Sequence, residues 1–319
     1  MNRRDFLQLG SAAALVALGG AGVARAEWTP RRPINVVLPY SAGGGTDSFA
    51  RAVASVSDAA LPVPLVIVNK PGSSGITGAT EAARARPDGT TFMLTSAGSF
   101  LLTSMLRDTE VDPIDSFRTV AQIGELTTSL MVAADSPYRT VDDLVADAKA
   151  RPGELRWAHT GRGGFHHVAG QGFLDANGLE AGDVPFKGGS ATRAAVIGGQ
   201  VDFGFIGVQQ AAGFENEIRV LALNAAERDG VMKDVPTFAE QGHEFADVSS
   251  PIVMFAPAGT DDEAVAGMEA ALETIAAMPE FERIMAERGN VPAFLPGDEA
   301  RERLLRMREV SRPIIDALG

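Results

Sequence analysis

Leu38-Pro39-Tyr40-Ser41-Ala42-Gly43-Gly44-Gly45-Thr46-Asp47 follows a short apolar run, Ile34–Leu38, and precedes Phe49, Val53, Val56 and Ala60 at helical spacing. A strand that turns into a helix through three adjacent glycines exposes consecutive backbone N–H groups. They lie at the positive end of the helix dipole, ready for an anion. Three glycines in a row exceed what one tight turn requires. A second loop, Asn69-Lys70-Pro71-Gly72-Ser73-Ser74-Gly75, follows the apolar run 65–68 in the same way. Neither loop carries the Gly-Lys-Ser/Thr ending of a nucleotide phosphate loop, so the anion is of another kind.

Outward from these loops the chain alternates. A helix is predicted over about 75–86, Pro87-Asp88-Gly89 is a turn, and 91–95 is a third strand. Strand–helix–strand–helix–strand argues for a parallel sheet with ligand loops at the strands' carboxyl ends. The pattern returns after Ser129, with strands at 130–134 and 155–159 around a helix over Val141–Ala150 capped by Thr140. A third glycine loop, Thr160-Gly161-Arg162-Gly163-Gly164, leads into a helix over Phe165–Asn177. A strand at 184–186 leads into a fourth, Lys187-Gly188-Gly189-Ser190, and a helix to about 197. Further strands are read at 201–206 and 219–223, and helices at 261–278 and 298–318. Two such units suggest two α/β lobes facing each other across a cleft, with the C-terminal helices packed back on the first. That requires two chain crossings, near 127–132 and 250–256, which would act as hinges.

Composition bounds the function. The chain has 319 residues, 45% hydrophobic and 22% charged, which fits two globular domains. It begins with Asn2-Arg3-Arg4-Asp5-Phe6-Leu7, an apolar run over 12–23, and Ala24-Arg25-Ala26. That is an export signal of the twin-arginine type, with cleavage expected near Ala26. Its loss removes Arg3, Arg4, Arg25 and Asp5, so 28 basic and 41 acidic residues become 25 and 40, a net charge of −15. Such a surface repels nucleic acid and anionic lipid. With no cysteine there is no disulfide, thiol nucleophile or thiolate metal site. Adjacent His166-His167 point about 100° apart on a helix, a poor metal pair. No metal and no cofactor is expected.

The loops and the segments between them resemble the TctC/Bug family, the periplasmic solute-binding subunits of tripartite tricarboxylate transporters. The resemblance is carried by Pro39-Tyr40 with Gly43–Asp47, Val68-Asn69-Lys70-Pro71-Gly72 and Arg86-Pro87-Asp88-Gly89. It continues through 161–169, Val184-Pro185-Phe186-Lys187-Gly188-Gly189, Gly198-Gly199-Gln200-Val201-Asp202, 235–242 and Ala256-Pro257-Ala258-Gly259-Thr260. It implies a type II periplasmic-binding-protein fold, with lobe 1 at 27–128 plus 253–319 and lobe 2 at 129–252. The implied ligand is a small organic acid, one end held by the first two loops, partly through water, and the other by lobe 2. The implied partners are the large and small integral-membrane subunits, and the receptor itself is expected to be a monomer. The candidate site in lobe 1 is Tyr40, Ser41, Gly43, Gly44, Gly45, Thr46, Asp47, Asn69, Gly72, Ser73, Ser74, Thr95 and Ser96. In lobe 2 it is Thr160, Gly161, Arg162, Gly163, Gly164, His167, Lys187, Gly188, Gly189 and Ser190. Gly164 stands where relatives often carry Ser, so a hydroxyl donor is missing there, for which Arg162 or His166 would compensate.

Several of these residues have a plain alternative. Asp47 suits a helix cap as well as an acceptor that orients amides or water. Arg162 is either a bidentate carboxylate clamp or a solvated loop arginine. Lys187 stands at the cleft mouth or only in a turn, and His167 packs beside the third loop. Two other function classes compete. A hydrolase of carboxylic esters would need a nucleophile, base and orienting acid, and no Gly-x-Ser-x-Gly elbow is present. A sensor subunit that presents bound ligand to a membrane partner would share the receptor's fold.

Overall fold

The computed structural model describes residues 28–318 apart from 108, 187, 231 and 247. The export signal lies outside the described residues, and so does Lys187.

Two mixed sheets carry the architecture. The first contains β1 (Ile34–Leu38), β2 (Leu65–Asn69), β3 (Thr91–Ser96), β4 (Phe117–Leu126), β10 (Ser250–Pro257) and β11 (Val291–Pro296), in the order β11-β4-β10-β3-β1-β2. The second contains β5 (Thr128–Ala133), β6 (Arg156–His159), β7 (Gly182–Pro185), β8 (Phe203–Gly207) and β9 (Ile218–Asn224), in the order β7-β6-β8-β5-β9. Nine α-helices are present among the described residues. They are α1 (Gly45–Val56), α2 (Ile76–Ala83), α3 (Ala97–Leu106), α4 (Val141–Ala150), α5 (Phe165–Asn177), α6 (Gly189–Ile197), α7 (Asp262–Ala276), α8 (Pro279–Ala286) and α9 (Gly297–Leu318).

Each sheet contains a parallel trio whose middle strand is the earliest in sequence: β1 between β2 and β3, and β6 between β7 and β8. The chain leaves the middle strand to one side and later returns on the other, so a crevice forms at its carboxyl end. The first and third glycine loops occupy those two ends. The expected all-parallel reading stops there. β10 is antiparallel to both β3 and β4, β11 is antiparallel to β4, and β5 is antiparallel to β8 and β9. Sequence reasoning missed α3, α8, β4 and β11, and read β10 only as a crossing.

The helices bury the faces their spacing implies. On α1, Phe49, Ala50, Val53 and Val56 are buried, one stripe at intervals of three and four residues. The long α9 runs along β4 and α3, and its far end reaches α5 on the second sheet, where Ile314 sits beside Gly172. Between the sheets the chain passes from β4 to β5 through Thr127 alone, and returns just ahead of Ser250. Arg303 of α9 ties the two passages together: its guanidinium donates to Gln122 Oε1 at 3.0 Å, Glu125 Oε1 at 2.6 Å and Ser249 Oγ at 2.9 Å.

Candidate functional site: a cleft ringed by glycine-capped helices

Between the two sheets lies a cavity of about 580 Å³. Three helix N-termini converge on it, those of α1, α5 and α6, through Gly43–Thr46, Gly161–Phe165 and Gly188–Ser190. Each is capped by a glycine, Gly44, Gly164 and Gly188, with no side-chain cap bond. First-turn amides lack intrahelical acceptors, so these three ends are left to a ligand or water. The contrast is α4, away from the cleft, whose Thr140 and Asp143 form a complete capping box. Local amide dipoles thus supply a positive potential inside an acidic protein.

The first loop is held in place by Asp47, which is 3% exposed. Its Oδ2 accepts from the Gly43 amide at 2.9 Å and from Arg51 Nε at 2.8 Å, and its Oδ1 accepts from Asn69 Nδ2 at 3.0 Å. Burial opposes the charge, but the Arg51 guanidinium, the Gly43 amide and Asn69 outweigh it and hold the carboxyl below its usual pKa. Asn69 also donates to the Tyr40 carbonyl at 3.1 Å. Tyr40 OH donates to the Ser96 carbonyl at 3.4 Å and accepts from Thr95 Oγ1 at 3.3 Å, and burial raises its pKa. Gly75, at φ +101°, leaves room for the Tyr40 ring, which a Cβ there would approach to 3.3 Å. The second loop is therefore a buttress for the first.

The third loop has its own supports. The Gly161 amide donates to His159 Nδ1 at 3.2 Å and the Gly163 amide to His167 Nδ1 at 3.0 Å. Because a backbone N–H can only donate, both Nδ1 atoms are acceptors and both Nε2 atoms carry the proton. His159 Nε2 then donates to Asp183 Oδ2 at 3.2 Å. His159, His167 and Asp183 lie close enough for a shared metal ion. A metal on Nε2 would require an N–H at Nδ1, pointing at an amide N–H, so the tautomer opposes that role. Arg162 is turned to the same carboxylate, its Nη2 2.6 Å from Asp183 Oδ1. Burial lowers all three histidines of this region: His159 below its usual value despite Asp183, His166 to about 3 and His167 to about 4. All three are neutral at pH 7.

Of the sequence candidates, Tyr40, Ser41, Gly43–Asp47, Ser96, Thr160–Gly164 and Gly188–Ser190 line the cavity together. Asn69, Thr95 and His167 stand behind it as supports. Gly72 and Ser73 are outside the lining set, and the Ser74 backbone belongs to the short turn Ser73–Gly75. The structure adds Ser99, Thr103, Leu106 and Arg107 along α3, and Gln209 and Gln210 after β8. Ser96, Ser99, Thr103 and Arg107 are spaced three, four and four residues apart, one helical face, and that spacing was the available signal.

A hydroxyl and an imidazole do meet here, Thr160 Oγ1 and His166 Nδ1 at 2.7 Å. The His166 Nε2 is buried without a hydrogen-bond partner among the described residues. With no acid among the described residues to orient it and a pKa near 3, this histidine is a poor general base. A second hollow of about 740 Å³ lies on the outer face of α2 and β2, lined by Lys70, Glu81 and Arg84. Its cations are already paired, Lys70 with Glu81 at 3.0 Å and Arg84 with Glu110 at 2.7 Å.

The model of the tripartite tricarboxylate transporter family receptor, TctC, matches residues 49–319. The chain belongs to that family. Among curated relatives, this TctC-family chain is 28% identical to BugT of Bordetella pertussis, over 90% of this chain and 89% of that protein. Among solved structures, MatC from Rhodopseudomonas palustris with bound malate superposes at a TM-score of 0.74 with 27% identity, covering 88% of this chain and 99% of that one. A second R. palustris protein, with adipate, gives 0.76 and 26%, covering 89% and 97%. The TctC receptors are transport proteins, and the two-lobed fold of this chain is theirs.

Proposed function

We propose that this TctC-family receptor captures a small organic acid in the periplasm and delivers it to the membrane subunits of a tripartite transporter. The observation that carries this is the convergence of three glycine-capped helix starts, from both sheets, on one cavity. That arrangement offers amide donors to carboxylates from opposite walls. The malate and adipate held by the two solved relatives agree in chemical class. Residues 1–26 act as a cleaved export signal. The lobes meet at the passages beside Thr127 and ahead of Ser250, within a few residues of the 128/129 and 252/253 boundaries. The binding set is the first, third and fourth loops with the α3 face, and chemistry on the ligand is not part of the role.

The test is a thermal-shift and calorimetric screen of residues 27–319 against malate, succinate, adipate and citrate. A ligand that binds only the folded state raises the melting temperature. Saturable one-to-one binding with the acid recovered intact supports the reading. Turnover of the acid, or no binding to any member of the panel, ends it.

A further inference from the structure

Among the described residues, three charged side chains line the cavity, Asp47, Arg107 and Arg162. Asp47 is consumed by Gly43, Arg51 and Asn69. Arg162 is 64% exposed and gives its guanidinium to Asp183, so its charge is largely cancelled before any ligand arrives. Arg107 has no ion-pair or hydrogen-bond partner for its side chain among the described residues. Among the described residues it is the cation of the cleft without an ion-pair partner.

Its position gives that charge a role. Arg107 closes the face Ser96–Ser99–Thr103 on α3. The Ser96 end of this face touches Tyr40 of the first loop, and the Leu106 end meets the third loop at Gly163. Eleven residues of helical rise put the two ends about 16 Å apart. A ligand whose first carboxylate sits on the first-loop amides therefore extends toward Arg107. A guanidinium is suited to a planar carboxylate through two parallel N–H donors.

We propose that Arg107 receives the second carboxylate of a dianionic ligand, and so selects dicarboxylates over monocarboxylates, while Arg162 is withheld by Asp183. This rests on reading the cleft as a carboxylate site. A cation at a helix C-terminus also stabilises the helix itself, so the test must read selectivity as well as stability.

Residues 27–319, Arg107→Met, Arg107→Lys and Arg162→Met are each titrated calorimetrically with succinate and adipate. Each is also titrated with butyrate and hexanoate, the monocarboxylates of equal length. The wild type should prefer the dicarboxylates. Arg107→Met should lose about tenfold or more for them and under about threefold for the monocarboxylates, with partial recovery in Arg107→Lys. Arg162→Met should leave the ratio within about threefold, since its charge is already paired. Equal losses for both ligand classes, an unchanged Arg107→Met, or a wild type without dicarboxylate preference overturns the assignment. Failure of the wild type to bind any of the four acids overturns instead the carboxylate reading on which it rests.

Discussion

Asn69 Nδ2 stands 3.0 Å from Asp47 Oδ1, joining the end of β2 to the third residue of α1. Through this contact the start of the second glycine loop steadies the first. Asp47→Asn keeps the shape but loses the charge that holds Arg51 and Gly43. The fold should lose about 1–3 kcal/mol in urea denaturation, the scale of hydrogen bonds to a buried charge. Asn69→Ala should weaken ligand binding despite its distance from the lining. Wild-type affinity in both variants would show that the loop orders itself without this brace.

Gly163 has φ +73°, and a Cβ there would fall 2.1 Å from Leu106 Cδ2. Gly163→Ala should therefore lower the melting temperature through both a clash and a left-handed backbone. Adding Leu106→Ala removes the clash and leaves about 1–2 kcal/mol of backbone strain. If the double variant is as unstable as the sum of the single ones, the two residues do not meet as described.

Stability should fall on mild acidification. His166 and His167 have folded pKa values of about 3 and about 4, both below the ordinary 6.5. The unfolded chain therefore takes up protons first. The stabilisation is whole above about pH 6.5 and is lost as pH falls toward the folded values. Asp47, also depressed, adds a loss only at lower pH, through the carboxylate range. Urea midpoints at pH 7.5, 6, 5 and 4.5 should decline, and less steeply in His166→Gln/His167→Gln. A flat profile in the wild type would contradict the buried, neutral assignment.

Arg303→Met removes donors to Gln122, Glu125 and Ser249 at once and leaves Glu125 unpaired. Hydrogen exchange should speed up at 124–128 and 248–251 and stay unchanged in α4, where Arg303 has no partner among the described residues. Unaltered exchange at both passages would mean that Arg303 does not join them.

The sequence made the first, third and fourth loops legible because runs of glycine after an apolar run carry their own geometric meaning. The buttressing role of the second loop was not legible. Nothing local to Asn69 and Gly75 announces that they face Asp47 and Tyr40. The helix α3 escaped because Phe100, Leu101 and Leu102 are all buried, so no amphipathic period stands out. The pairing of Arg162 with Asp183 depends on the register of β6 against β7, a tertiary fact with no local signature. The same holds for Gln209, which reaches the cavity only because β8 ends beside Gly45.

The Arg303 triad sits between the passages, away from the glycine loops that line the cavity. Those loops are braced beforehand by Asp47 on one wall and by His159 and His167 on the other. On the function proposed above, binding orders little inside the pocket, and most of the conformational cost falls on bringing the walls together. Affinity and selectivity become separable properties of this receptor. Substitutions at the triad should scale every ligand's dissociation constant by a common factor, as a shift in the population of the closed form would.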